Sequence, residues 1–375
     1  MGETMGQAGP DNDAAAHPRH LNDVTAGWLT DCLRAAGIDA DVDSFTAQLI
    51  GDGVGLMATL HRLRLHYRTG SGPDCLVVKF PGELEANLAI AEQFGLFRRE
   101  VEFYRVAASR TTMDIPAVYA AEIDPDDSFV LLMEDLGDLR PGDQVAGIDP
   151  VSAGQAIDEL VKLHAPFWDN VDATEFDFAP RVNGPGQADG MHAVATACWD
   201  AMNASFGDAV PAAMNEVRER FLDAVPAMHE WLGSAPITLI HSDFRLDNLM
   251  LGEADSDRPL VTLDWQGVLR SKGIEDVAFL LSQSMSPDQR SAHEHQLVER
   301  WRQGLEAAGI HDYTREGAWH DYRKCVLYLW MYAVIISGAL DPTNPRSQAV
   351  MRAIITRSAS AVSELDCLSL LAEFE

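Results

Sequence analysis

Leu63, Leu65 and Tyr67 alternate with Arg64 and His66, the period-two pattern of a half-buried strand. The stretch around them, "FTAQLIGDGVGLMATLHRLRLHY" (45–67), reads as strand, glycine turn, strand. The cluster "RTGSGPD" (68–74) then turns the chain, and "CLVVKF" (75–80) returns as the next strand. Ahead of them, "LNDVTAGWLTDCLRAAG" (21–37) predicts a short helix from Asn22 that stops at Gly37. From Glu83 to about Arg110 the period changes. Leu88, Phe94, Phe97, Val101 and Tyr104 fall near one face, which predicts one long helix. "IPAVYAAEI" and "FVLLMEDL", separated by "DPDDS", add two more strands.

After "GDLRPGDQ" (137–144) helical periodicity dominates 150–232 and 275–370. Between these blocks sits an isolated strand pair, "NLML" and "LVTLDW", joined by the turn-rich "GEADSDRP". A sheet first and helices afterwards predict an α+β, two-lobed architecture. The expected divisions are a disordered polar tail at 1–21, a sheet-rich lobe at 22–136 and a helical lobe at 137–375.

Composition narrows the function classes. A formal charge of −30 argues against binding nucleic acid, which relies on clustered Lys and Arg. Five scattered cysteines without a CxxC pair fit reduced thiols in a cytoplasm rather than a disulfide framework or zinc site. The start of the chain has no signal-peptide pattern. The longest apolar run, "CVLYLWMYAVIISGAL" (325–340), is short for a bilayer span and predicts a buried helix, so no membrane partner is expected.

The chemistry concentrates in "ITLIHSDFRLDNLML" (237–251), where His241, Asp243, Arg245, Asp247 and Asn248 separate two apolar runs. If the two short strands pair with Leu251 opposite Leu260, Asn248 falls opposite Leu263 and next to Asp264. Asn248 and Asp264 then form an oxygen-donor set of the kind Mg2+ shares with phosphate oxygens. Asp243, on the preceding loop, can accept a proton from a hydroxyl. Two features upstream complement them. The glycines of "GDGVGLM" (51–57), Gly53 and Gly55 among them, let backbone N–H groups approach phosphates. Lys79 stands in an apolar strand of a chain with only four lysines among 28 basic residues, and Glu100 is its expected counter-charge.

Taken in order, "LVVKF", "REVEFY", "LLMEDL", "LVKLHA", "HSDFRLDN", "LDWQG" and "GIEDVAFLL" resemble the protein-kinase-like small-molecule kinases. The resemblance is narrower to the aminoglycoside phosphotransferase and choline- and ecdysteroid-kinase-like group, and it covers roughly 45–340. It implies a small antiparallel-sheet N-lobe with one long helix and a larger, mainly helical C-lobe. It also implies ATP as phosphate donor and Asp243 as catalytic base, with Arg245 facing the γ-phosphate. Asn248 and Asp264 would hold Mg2+, and Lys79 would contact the α- and β-phosphates while paired with Glu100. The backbones of Glu134 and Leu136 would meet the adenine. His241 and Asp276 are expected to brace the catalytic loop, and His164 to be a packed helix residue.

The implied activity is O-phosphotransfer to a small-molecule hydroxyl by a monomer or weak homodimer. The block containing Trp168, Phe176, Phe178, Met191, Trp199, Met202 and Phe206 suits a lipophilic alcohol if it walls the acceptor pocket, although helix core is the simpler role for most of these side chains. An aminoglycoside-type acceptor would instead need carboxylates converging near Asp243, which "SELDCLSLLAEFE" at the C-terminus could supply. The reading from another class is a nucleotide-binding pseudokinase. Its mark would be the loss of Lys79, Asp243, Asn248 or Asp264, and all four are present.

Overall fold

The protein is described by a computed structural model that covers residues 17–51, 57–253, 255–311, 313–339 and 344–375. It divides into two compact units. One holds the described residues up to Phe97 with Ala117–Asp135, and the other holds Arg98–Pro116 with Leu136–Glu375.

In the first unit, α1 (Ala26–Ala35) starts where the Thr25 hydroxyl accepts the Trp28 N–H at 3.1 Å, and Gly37 follows its end at φ 82°. Five antiparallel strands follow: β1 (Ala40–Ile50), β2 (Ala58–Gly70), β3 (Cys75–Pro81), β4 (Val118–Ile123) and β5 (Phe129–Glu134). Their order in the sheet is β1-β2-β3-β5-β4. The alternation seen in the sequence is the burial pattern of β2: Leu63 and Leu65 are buried, while Arg64 and His66 are exposed. Central β3 is buried along nearly its whole length, which is why it reads as an unbroken apolar run. Leu63, Leu65, Leu76, Val78, Val130 and Leu132 pack with Leu29 and Leu33 of α1 into the core of this unit. Residues 17–21, included in the expected tail, are tied down: His17 bonds to the Ser128 carbonyl, and Arg19 pairs with Asp124 and Asp126.

The expected long helix is broken. α2 (Glu85–Phe94) ends at Gly95, which adopts the left-handed conformation at φ 63°. α3 (Leu96–Glu102) follows, and Phe103–Ala107 then widens into a π-helical turn. Apolar spacing does not register a glycine that leaves the helical region, so the periodicity runs on across the break. The segment after Phe97 groups with the second unit, not with the sheet as the sequence reading assigned it. The cause is packing: Phe103 stacks on Trp265 with centroids 3.6 Å apart and planes 7° from parallel. Asp114 also accepts an ion pair from Arg258 at 2.9 Å, and its carbonyl accepts the Thr262 N–H.

The second unit continues with β6 (Arg140–Pro141), α4 (Pro150–Phe167), α5 (Gln187–Phe206), α6 (Ala212–Glu216) and α7 (Arg218–Leu232). Four short strands come next: β7 (Thr238–Ile240), β8 (Leu249–Leu251), β9 (Leu260–Thr262) and β10 (Leu269–Ser271). The chain closes with α8 (Ile274–Ser284), α9 (Pro287–Ala307), α10 (Arg315–Ala339) and α11 (Pro345–Glu364). The long apolar run lies in α10, where Tyr328 and Trp330 are almost fully buried, and no described helix is long and apolar enough to cross a membrane. Phe176, Trp199, Met202 and Phe206 belong to the core of this unit, and Trp168, Phe178 and Met191 pack against it partly buried.

Candidate functional site

Strand β7 delivers the chain to His241, and β10 pairs beside it, with Leu269 opposite Ile240. Between them, β8 and β9 form the hairpin in the register expected from the sequence, with Leu251 opposite Leu260. The ladder extends one step beyond the strands: the Leu263 N–H donates to the Asn248 carbonyl at 2.8 Å, which sets Asp264 beside Asn248. Asp264 itself adopts a left-handed backbone, φ 62°, before the turn Trp265–Gly267. That turn presses close to the loop, since a Cβ on Gly267 would lie 2.9 Å from the His241 carbonyl oxygen.

The loop is held from below by one buried carboxylate. Asp276, in the first turn of α8, accepts the His241 N–H at 2.7 Å and the Ser242 N–H at 2.8 Å. His164 Nε2 bonds the same carboxylate at 3.2 Å, and the Trp301 indole N–H donates to His164 Nδ1 at 3.0 Å. These donors hold Ser242 at φ 66°, a conformation that a residue with a side chain adopts only under constraint. The His241 ring is fixed as well. Its Nδ1 accepts the Asp243 N–H, and its Nε2 donates to the Leu263 carbonyl at 2.8 Å, tying the loop to the far side of the hairpin. His241 and Asp276 thus act as the brace the sequence suggested, and His164, expected only as a packed helix residue, joins it.

Asp243 is presented above this brace with its side chain about a third exposed. The Asn248 carboxamide N–H donates to the Asp243 backbone oxygen and to Oδ2, each at 2.9 Å. With its nitrogen committed to Asp243, Asn248 has only its side-chain oxygen left to offer a cation. Arg245 Nε lies 3.3 Å from Asp243 Oδ1, and Arg245 is 4.0 Å from Asp247. The guanidinium is held firmly charged, first by Asp243 and then, against its burial, by Asp247 and Asp264. Asp243, Arg245, Asn248 and Asp264 are therefore brought together. Glu100, in α3, acts on the same tyrosine as Asp264. Burial raises the Tyr104 phenol pKa well above its ordinary value, and both Glu100 and Asp264 add to that shift. Glu100 is itself 1% exposed.

Among the described residues no cluster of three or more His, Cys, Asp or Glu could hold a metal unaided. One carboxylate and one carboxamide oxygen nevertheless fit a hard cation that takes its remaining ligands from water and phosphate. Leu136 has its carbonyl engaged by the Leu139 N–H at 2.9 Å.

In the first unit, Lys79 is 6% exposed in β3, paired across the sheet with Leu60 and Leu131. Glu134 lies on the adjacent strand opposite Leu76. Its backbone N–H is spent on the Ala117 carbonyl at 2.8 Å, so an adenine contact at Glu134 would have to use the carbonyl. Gly53 and Gly55 lie outside the described residues.

Gln144 went unnoticed in the sequence. Fully buried, it accepts the Leu246 N–H at 3.0 Å, donates to the Gln283 carbonyl at 2.9 Å, and its backbone N–H donates to Asp247. A glutamine a hundred residues from the loop carries no local signal of this role. Three acids of the C-terminal stretch are engaged by partners other than Asp243's loop. Glu364 bonds Arg290 at 2.6 Å, Glu373 bonds His320 at 2.9 Å, and Glu375 pairs with Arg220.

The sequence pattern of the ecdysteroid kinase-like family matches residues 52–309. No curated protein sequence matches the chain. Among solved structures, it is similar to a candidate aminoglycoside phosphotransferase from Ralstonia eutropha JMP134, with 13% identity and a TM-score of 0.54 over 90% of this chain and 98% of that one. An aminoglycoside phosphotransferase from Alicyclobacillus acidocaldarius gives 12% identity and a TM-score of 0.52 over 90% and 95%. An amicoumacin kinase, solved with AMP-PNP and Ca2+, gives 10% identity and a TM-score of 0.52 over 90% and 96%. At such identities the likeness establishes a shared fold, the protein-kinase-like one, and nothing about substrate.

Proposed function

The chain belongs to the ecdysteroid kinase-like family, and from that premise we propose that it transfers the γ-phosphate of ATP to a hydroxyl of a small molecule. The observation that carries this reading is the braced loop: Asp243 is open to solvent on one side and tied to Asn248 on the other, with Asp264 beside them.

In the proposed reaction, the acceptor hydroxyl binds with its proton toward Asp243. A bond forms between the acceptor oxygen and the γ-phosphorus, the bond to the β-phosphate bridging oxygen breaks, and the hydroxyl proton passes to the Asp243 carboxylate. ADP leaves. Asn248 Oδ1 and Asp264 would hold Mg2+, which when bound withdraws charge from the phosphate oxygens. Arg245, kept charged by its acidic neighbours, would face the γ-phosphate. Lys79 would contact the α- and β-phosphates with Glu100 as its counter-ion, while the Glu134 carbonyl and the Leu136 N–H would hold the adenine. Most of the rate would come from positioning and charge neutralisation, as expected for phosphoryl transfer.

The engagement of Glu364, Glu373 and Glu375 with arginines and histidine lends no support to an aminoglycoside-type acceptor held by the C-terminal stretch. A mass-shift assay of hydroxylated small molecules with ATP and Mg2+ tests the proposal. Wild type should phosphorylate at least one alcohol, and Asp243→Asn should lower kcat about 10²–10⁴-fold with ATP binding retained. Equal transfer by both proteins would remove Asp243 as base. ATP binding without transfer to any alcohol would favour the pseudokinase reading.

A further inference from the structure

Four arginines are buried among the described residues: Arg99, Arg270, Arg290 and Arg357. Three have partners. Arg290 bonds Glu294 and Glu364, Arg357 bonds the carbonyls of Gln144, Val145 and Gln283, and Arg270 bonds the Val171 carbonyl. Arg99 is the exception. It sits in α3 with 8% of its surface exposed and makes no hydrogen bond or ion pair with any described residue. Yet none of its nitrogens is among the unpartnered polar atoms sealed from solvent, so the tip of the guanidinium can be reached. Burial pulls its pKa down to about 10, and the group remains a cation at neutral pH. A guanidinium that is mostly buried loses much of its hydration without gaining a protein partner in return. A fold that keeps such a group with its tip open fits a site completed by an anion arriving from outside.

The surroundings of Arg99 identify the side of the site on which that anion binds. Its one electrostatic neighbour is Tyr332 of α10. Tyr332 is only partly buried, packs against Phe279 at 6.1 Å, and lies near enough to Ser242, the residue before Asp243, for that side chain to act on its phenol. About a turn further along α10, Ile335 and Ile336 are also only partly buried and add apolar surface. Glu100, next to Arg99, points elsewhere. Successive helical residues are set about 100° apart, and Glu100 shares Tyr104 with Asp264. Arg245 gathers Asp243, Asp247 and Asp264, and Arg99 shares none of these acids. The two cations serve different anions.

Building on the phosphotransfer reading above, we propose that Arg99 and Tyr332 bind a carboxylate on the acceptor, making the substrate class hydroxylated lipophilic acids. The carboxylate is bound unchanged, and only the hydroxyl gives up its proton and receives the phosphate.

Two acids, ω-hydroxydodecanoate and cholate, each compared with its methyl ester, test the proposal against wild type, Arg99→Met, Arg99→Lys and Tyr332→Phe. Binding is read by thermal shift and turnover by ADP release. Wild type should bind and phosphorylate at least one acid in preference to its ester. Arg99→Met should raise KM for that acid about tenfold or more, leave KM for ATP unchanged and leave the ester unaffected. Arg99→Lys should fall between, because it keeps the charge without the planar fork. Without ligand, Arg99→Met should melt no lower than wild type, which separates loss of the site from misfolding. The proposal fails if neither acid binds better than its ester, or if Arg99→Met weakens ATP and acid alike. Acid binding that depends on Arg99 but gives no phosphorylated product would sustain the anion site and overturn the phosphotransferase reading. Transfer to neutral alcohols indifferent to Arg99 would do the reverse.

Discussion

On one side of the first turn of α8, Asp276 collects the N–H groups of His241 and Ser242 and the His164 ring. On another, Glu275 has a single hydroxyl donor, Ser271 at 2.5 Å, amid Cys325, Tyr328 and Tyr332. Both carboxyls are buried. Burial pushes the Glu275 pKa up to about 8 and the neighbouring Asp276 adds to the rise, while the Ser271 hydrogen bond opposes it. The contrast shows what keeps a buried carboxylate useful as an anchor. Converging backbone donors replace the lost water around Asp276, whereas one hydroxyl cannot do so for Glu275, which is held protonated through neutral pH.

Removing the better-served acid should do the most damage. Asp276→Ala leaves two buried N–H groups and His164 without their acceptor, and should cost about 3–5 kcal/mol in urea unfolding. Phosphotransfer should collapse with it, because Ser242 loses the bonds that hold its left-handed backbone. A loss under about 1 kcal/mol would mean the loop does not depend on this brace.

Glu275→Gln sharpens the comparison through pH. In the unfolded chain Glu275 releases its proton near 4.5, and in the folded protein near 8. Between those values the folded state holds the extra proton, so its contribution to stability is full below 4.5 and is lost as pH rises through 8. Relative to wild type, Glu275→Gln should therefore gain stability from acid to alkaline pH, on the order of a few kcal/mol across the window. Urea midpoints for both proteins at several pH values measure it, and parallel pH curves would contradict the assignment. The smallest effect belongs to Ser271→Ala, which removes the single donor. It should cost about 1 kcal/mol and carry the pH-dependent loss to still higher pH.

Much of the framework could be read from local pattern. The alternation from Leu63 to Tyr67 marked β2, and the apolar run around Lys79 marked β3. Pairing Leu251 with Leu260 was enough to bring Asn248 next to Asp264, because a hairpin of known register leaves no freedom at its open end. These features depend on residues close in sequence, where chain geometry alone dictates who meets whom.

Other features had no such signal. Apolar spacing ran through Gly95 as though the helix continued, and the aromatic block holding Trp199, Met202 and Phe206 did not say which segments it would pack against. Hydrophobicity says that a side chain will be covered but not by what. Gln144, Asp276 and the Phe103–Trp265 stack act on the loop from distant parts of the chain, and Arg99 stands out only because folding gives partners to the other buried arginines. Sequence alone determined the strands, the hairpin and the identity of the polar groups at its mouth, since these follow from backbone periodicity and side-chain chemistry. Which buried charges are satisfied, and by whom, was decided only by tertiary structure, because hydrogen bonding inside a protein depends on ångström-scale approach between segments that the sequence keeps far apart.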